Sequence, residues 1–346
     1  MLRIWLAAAA VSLAAPAALA PKAWAQAPQA SAAPAPPAGA GLAFNQKYAQ
    51  YDRLLMETRQ LTVDAVERLG AFAEPGGKAE VDDLKAVAQA LKARIDAAPP
   101  ITPEDAAALP QDNAAAGAFK ALVVQYPTVL RETFTVASGI VDRAAEDGPK
   151  AKAGDHKAQL ALTAAMFEGM RTSVTAENLQ LQVAASLYMS SHPQHALLDS
   201  SVASNKAMIE FFDVMRREAQ GASADIVSSA RRIRAYSEQG RAAAEQTPAL
   251  AVAMASEIEQ QAKAAGRGTA NTNVVVDSYK RSADAELKIS DYLTAMALTL
   301  AEDGLSDRLQ EEWGEIEMLV DRRAMPPATP RAIPRTAPSR PYPRLE

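Results

Sequence analysis

The chain has no cysteine among its 346 residues. No disulfide can form. Acylated lipoproteins, c-type haem attachment and cysteine-ligated zinc are likewise excluded. Aromatic residues are scarce, at 5%, and a large β-rich core draws more heavily on aromatic and β-branched side chains. There are three histidines, His156, His192 and His195, so few groups are available for general-base chemistry near neutral pH. Beyond the N-terminus, no stretch is apolar for the ~20 residues a membrane span needs.

The familiar signatures of catalysis are also missing. There is no GxSxG, GxGxxG, Walker loop, HExxH or SxxK, the spacings that build nucleophile elbows, phosphate cradles and zinc sites. No histidine follows a glutamate by three residues, which removes the Glu-x-x-His ligands of a carboxylate-bridged di-iron bundle. A Glu or Lys base assembled by the fold stays open. The expectation is a protein that is not an enzyme and that carries no cofactor.

What is present begins with MLRIWLAAAAVSLAAPAALAPKAWAQ. Arg3 precedes an apolar stretch from Ile4 to Ala20, and Ala23 and Ala25 stand at the −3 and −1 positions before Gln26. This is the pattern of a secretory signal peptide, 1–25, with cleavage expected after Ala25. A retained anchor is the alternative, although the run is short for it. The Ala-rich leader points to a bacterium, and to the periplasm or the cell exterior.

Residues 26–43 are rich in Pro, Ala and Gly, and read as a disordered linker. Helical periodicity then dominates. Tyr48, Tyr51, Leu55, Thr58, Thr62, Ala65 and Leu69 fall at steps of three and four, one face of a helix. A second helix is expected over 78–97, with Val81, Leu84, Val87, Ala88, Leu91 and Ile95 inward. Thr102-Pro103 caps a short turn. A third helix is expected over 112–146, kinked at Pro127. The polar stretch 147–155 reads as a domain boundary between an N-terminal helical region, 44–146, and a C-terminal long-helix bundle, 155–325.

Asp155 reads as the cap of a fourth helix. Leu160, Thr163, Phe167, Met170, Val174, Asn178, Leu181, Ala185 and Tyr188 form a heptad-like seam along it. Asn178 either sets the register of packed helices or rotates to water. The pattern from 196 to 245 reads as one long helix, bent or divided at Gly221, and Thr247-Pro248 as the cap of a new helix to 265. Helices over 274–302 and 306–323 follow, the last lined by Leu309, Trp313, Ile316 and Val320. The fold class is therefore all-α: long antiparallel helices in one or two bundles with coiled-coil-like seams, and disordered ends.

Between two of these helices lies SLYMSSHPQHALLD, Ser186–Asp199. Met189, His192 and His195 are weak candidates for a copper or zinc site, needing further ligands from elsewhere. Pro193 offers a simpler account. It disfavours helix at His192 and suits the first turn of the next helix, so the stretch reads as a hairpin tip capped by Ser191 or His192. On that reading, alanine at both histidines would shift stability by less than ~0.5 kcal/mol.

Charge is uneven. The chain carries −5, the leader +2 through Arg3 and Lys22, and the tail 326–346 +3, so the body between them carries −10. An acidic body excludes a nucleic-acid footprint. The tail places Arg331, Arg335, Arg340 and Arg344 among seven prolines, an extended polyproline segment suited to an envelope protein, an anionic envelope polymer or a lipid surface. The expected function is an exported scaffold or adaptor that binds through helix faces and this tail, with self-association possible through helix seams. The alternative is a periplasmic solute-binding or sensory bundle with a pocket between helices.

Overall fold

The computed structural model describes residues 38–73, 81–107, 114–222, 226–266 and 272–303. Among these residues the chain is all-α, with no strand. The helices are α1 (Ala38–Ala73), α2 (Asp82–Ala97), α3 (Pro103–Ala107), α4 (Ala114–Val123), α5 (Tyr126–Lys152), α6 (His156–Ser186), α7 (Pro193–Ala219), α8 (Ile226–Ala264) and α9 (Asn273–Asp303). No helix among them is long and apolar enough to cross a membrane.

The apolar stripes become contact faces. On α1, Tyr51, Leu55, Ala65 and Leu69 are buried, together with Thr58 and Thr62. The two threonines enter the core because each hydroxyl donates to the carbonyl four residues back, at 2.7 and 2.9 Å. On α2 the expected stripe is buried except Val87, which faces solvent.

Helix α6 runs antiparallel to α1, α5 and α7, and packs against all three. Helix α8 lies between α7 and α9, antiparallel to both. One hydrophobic cluster extends from Phe44 on α1 to Leu300 on α9. A small second cluster, Leu181, Ala185, Leu198 and Val202, closes the α6–α7 hairpin.

Several expected boundaries move. α1 starts at Ala38, inside the stretch assigned to the linker. Pro36 and Pro37 immediately precede it in the sequence. α2 starts at Asp82 rather than at 78. Pro127 does not kink one helix but begins another: α4 ends at Val123, and α5 starts with Pro127 in its first turn, where the missing N–H has no partner to lose. α5 then continues through Gly148 and Pro149 to Lys152, so most of the polar stretch 147–155 is helical. Gly221 ends α7 outright. Its φ is +67°, and the Ala222 amide donates to Arg217 O at 2.9 Å, a left-handed C-cap that glycine adopts without steric cost. Pro248, by contrast, lies inside α8 rather than opening a new helix. The buried Thr247 hydroxyl donates to Ala243 O at 3.3 Å.

The leader, most of the linker, the expected helix over 306–323 and the tail arginines Arg331, Arg335, Arg340 and Arg344 lie outside the described residues.

Candidate functional site

The chemistry-bearing side chains converge where α1, α5 and α6 meet. α1 contributes Tyr48, Asp52 and Arg59, spaced at four and seven residues and therefore on one face. Across from them, α6 presents Glu177 and Gln180, and α5 presents Tyr126. Arg59 Nη2 donates to Glu177 Oε2 at 2.7 Å, with the two side chains only 6% and 5% exposed. Arg59 Nη1 donates to Gln180 Oε1 at 2.7 Å. Gln180 Nε2 donates to Asp52 Oδ1 at 2.8 Å, and the Tyr126 hydroxyl donates to the same oxygen at 3.3 Å. The Tyr126 ring meets Tyr48 edge-on, with centroids 5.5 Å apart.

Burial sets the electrostatics. It raises the Glu177 carboxyl above its ordinary range against the pull of Arg59, and lowers the Arg59 guanidinium against the pull of Glu177 and Asp52. The Tyr48 phenol is pushed up to about 12 by burial and by Asp52. The Tyr126 phenol is likewise raised well above its ordinary value, by burial and then by Tyr48 and Asp52.

A charge pair this dry contributes little net stability, because desolvation offsets the attraction; removing one member strands the other. The cluster therefore fixes how α1 sits against α6, with Arg59 and Glu177 buried and Asp52 and Gln180 half-buried at its edge. Arg59 Nε is buried without a hydrogen-bond partner.

Of these residues only Tyr48 was named in the sequence, as part of an apolar helix face. The available signal was an arginine and an aspartate interrupting an apolar stripe on α1. Asn178, which was singled out, is the neighbour of Glu177 and is buried. Its Oδ1 has no partner, and neither does Nδ2 of Asn205 on the facing helix α7.

The hairpin tip is built as the local sequence indicates. His192 is the N-cap of α7: its Nδ1 accepts from Gln194 N at 3.0 Å. Its ring lies 4.8 Å from that of Tyr188. His195 Nδ1 donates to Ala185 O at 2.9 Å, and Asp199 Oδ2 lies 3.3 Å from its Nε2. Met189 is 74% exposed. Both imidazoles thus hydrogen-bond within the turn itself. Among the described residues no three His, Asp or Glu side chains cluster as metal ligands would.

An open groove of ≈ 550 Å³ lies between α1 and α2, lined by Gln46, Gln50, Arg53, Leu54 and Arg94. Arg94 is held there by Glu57.

Comparison of the chain with protein-family models, curated proteins and solved structures gave no match.

Proposed function

We propose that this chain is an exported, non-enzymatic scaffold or adaptor of the bacterial envelope that engages its partners through helix faces and the basic Pro-rich tail. One observation carries the reading. The side chains most capable of chemistry, Asp52, Arg59, Glu177, Gln180 and Tyr126, are engaged with one another at a helix interface. What the molecule offers to others is then the outer faces of long helices. The leader pattern 1–25 supports export, and the +3 tail beside an acidic body supports docking to an anionic surface.

The test is retention on isolated envelopes. Truncation after Met325 is expected to weaken retention, and added salt to weaken retention of the intact chain, since charges are screened over ~8 Å at physiological ionic strength. Equal retention of the truncated chain at low salt overturns the tail's role. Intact mass of the exported protein checks cleavage after Ala25.

A second reading, solute binding, is favoured by the α1–α2 groove with its glutamines and Arg53. Its breadth and openness suit a surface contact better than an enclosed ligand.

A further inference from the structure

One wall of the α1–α2 groove is built from side chains that the fold leaves unused. Gln46, Gln50 and Arg53 follow on α1 at steps of four and three, so they share one face. All three are exposed, and none makes a hydrogen bond or ion pair among the described residues. The carboxylates beside Arg53 along α1, and beside Arg94 along α2, are already taken. Asp52 accepts from Gln180 Nε2 at 2.8 Å, Glu57 accepts from Arg94 Nη2 at 3.0 Å, and Asp96 is held by Lys92 at 2.6 Å. The Arg53 guanidinium therefore lines a groove of ≈ 550 Å³ without a carboxylate of its own.

Spacing indicates what this wall can read. A glutamine carboxamide offers an acceptor and N–H donors, the complement of a peptide unit. Four residues of helix advance ~6 Å. Alternate residues of an extended strand present their peptide groups to the same edge and repeat at ~6.6 Å. Gln46 and Gln50 can thus pair with successive peptide groups on one strand edge, and Arg53, ~4.5 Å further along the helix, meets a side chain of the same strand. The floor leaves room for a backbone: Leu54 is 1% exposed, and Ala49 and Ala97 are the short side chains beside it. A free anion would use Arg53 alone.

We infer that the α1–α2 groove binds an extended, acidic peptide segment of a partner protein, with its backbone edge on Gln46 and Gln50 and a carboxylate on Arg53. Guanidinium and carboxylate form a charge-assisted, bidentate contact, which fixes the position of the segment as well as holding it. The chain's own arginine tail carries the wrong sign of charge for this wall. The inference rests on the adaptor reading and gives one helix face its partner chemistry, a peptide in place of a free solute.

The test uses the chain from Gln26 to Glu346 and a fluorescein-labelled heptapeptide of alternating Glu and Ala, followed by anisotropy. Saturable binding is expected. Arg53→Glu should weaken it at least ~tenfold, because like charges then oppose each other. Arg53→Lys should fall in between, since it keeps the charge and loses the fork. Gln46→Ala/Gln50→Ala should weaken binding severalfold. These side chains are exposed, so the far-UV spectrum and thermal midpoint should be kept in every variant. The tail is present throughout and attracts the probe equally, so differences between variants report the groove. Equal affinity of the unaltered chain and Arg53→Glu overturns the inference, as does equal affinity for the heptapeptide with Gln in place of Glu. Displacement of the probe by free glutamate as readily as by unlabelled peptide overturns it in favour of a solute site. Envelope retention after truncation at Met325 reads the adaptor role separately, so the two can fail independently.

Discussion

Arg59 on α1 and Glu177 on α6 meet at 2.7 Å with both side chains almost fully buried. The pair is a lock on helix placement and not a large source of stability. Replacing one member, as in Arg59→Met or Glu177→Gln, should cost about 3–5 kcal/mol, because the remaining group is stranded away from water. The double variant Arg59→Met/Glu177→Leu should recover most of that loss. A double-mutant cycle in urea checks this; singles that cost nothing would show that water reaches the pair.

Gly169 is placed where α6 crosses α1 and α5. A Cβ there would lie 2.5 Å from Ile140 Cδ1 and 3.2 Å from Thr62 Cγ2 and Val66 Cγ2. Gly169→Ala is expected to destabilise by about 1–3 kcal/mol through overpacking. Ile140→Val removes the closest of those atoms, so Gly169→Ala/Ile140→Val should be more stable than Gly169→Ala alone. Thermal midpoints of the three proteins decide it.

His192 caps α7 through Nδ1, so His192→Ala should cost about 1 kcal/mol and His192→Ser should restore most of it. The same residue gives a pH dependence. Burial, then repulsion from His195, lowers its pKa below the ordinary 6.5. The unfolded chain therefore takes up the proton first as pH falls. The stabilising contribution is complete above about 6.5 and is lost as pH drops through the lowered folded value. Denaturant midpoints measured between pH 7.5 and 5 should fall more for the unaltered chain than for His192→Ser. Parallel profiles would remove His192 from the account.

Pro248 sits inside α8 without an amide to donate. Pro248→Ala supplies a good helix former and a hydrogen bond to Ala244 O. Proline in a helix interior costs up to about 3 kcal/mol, so a gain of about 1 kcal/mol or more is expected. Hydrogen exchange should slow locally in α8 around residue 248. A chain that is less stable would mean that the proline is needed for the α7–α8 contact.

The Lys47–Asp105 pair, at 2.8 Å, ties α3 to α1. Asp105 is held below the ordinary carboxylate range by Lys47 and by the Thr102 amide. That contribution is present above about pH 4 and is lost as pH falls through the lowered value. Asp105→Asn should free the α3 segment to proteolysis at neutral pH, and mild acid should do the same to the unaltered chain.

The sequence alone determined the helical class, most inward faces and the α6–α7 turn, because each depends on neighbours three or four residues away or on a proline's fixed geometry. Asp155 caps α6 as its type and position require, accepting from Ala158 N at 3.1 Å. Tertiary structure decided what local pattern leaves degenerate. Whether a proline breaks a helix depends on what lies around it: Pro127 starts one, whereas Pro149 and Pro248 are carried inside. Arg59, Asp52 and Glu177 were invisible as a set because they are 118 and 125 residues apart in the chain for the outer pairs, and no spacing rule joins them. Only the antiparallel register of α1 and α6 brings them within hydrogen-bond reach, and in the dry interface so formed each charge must find its partner.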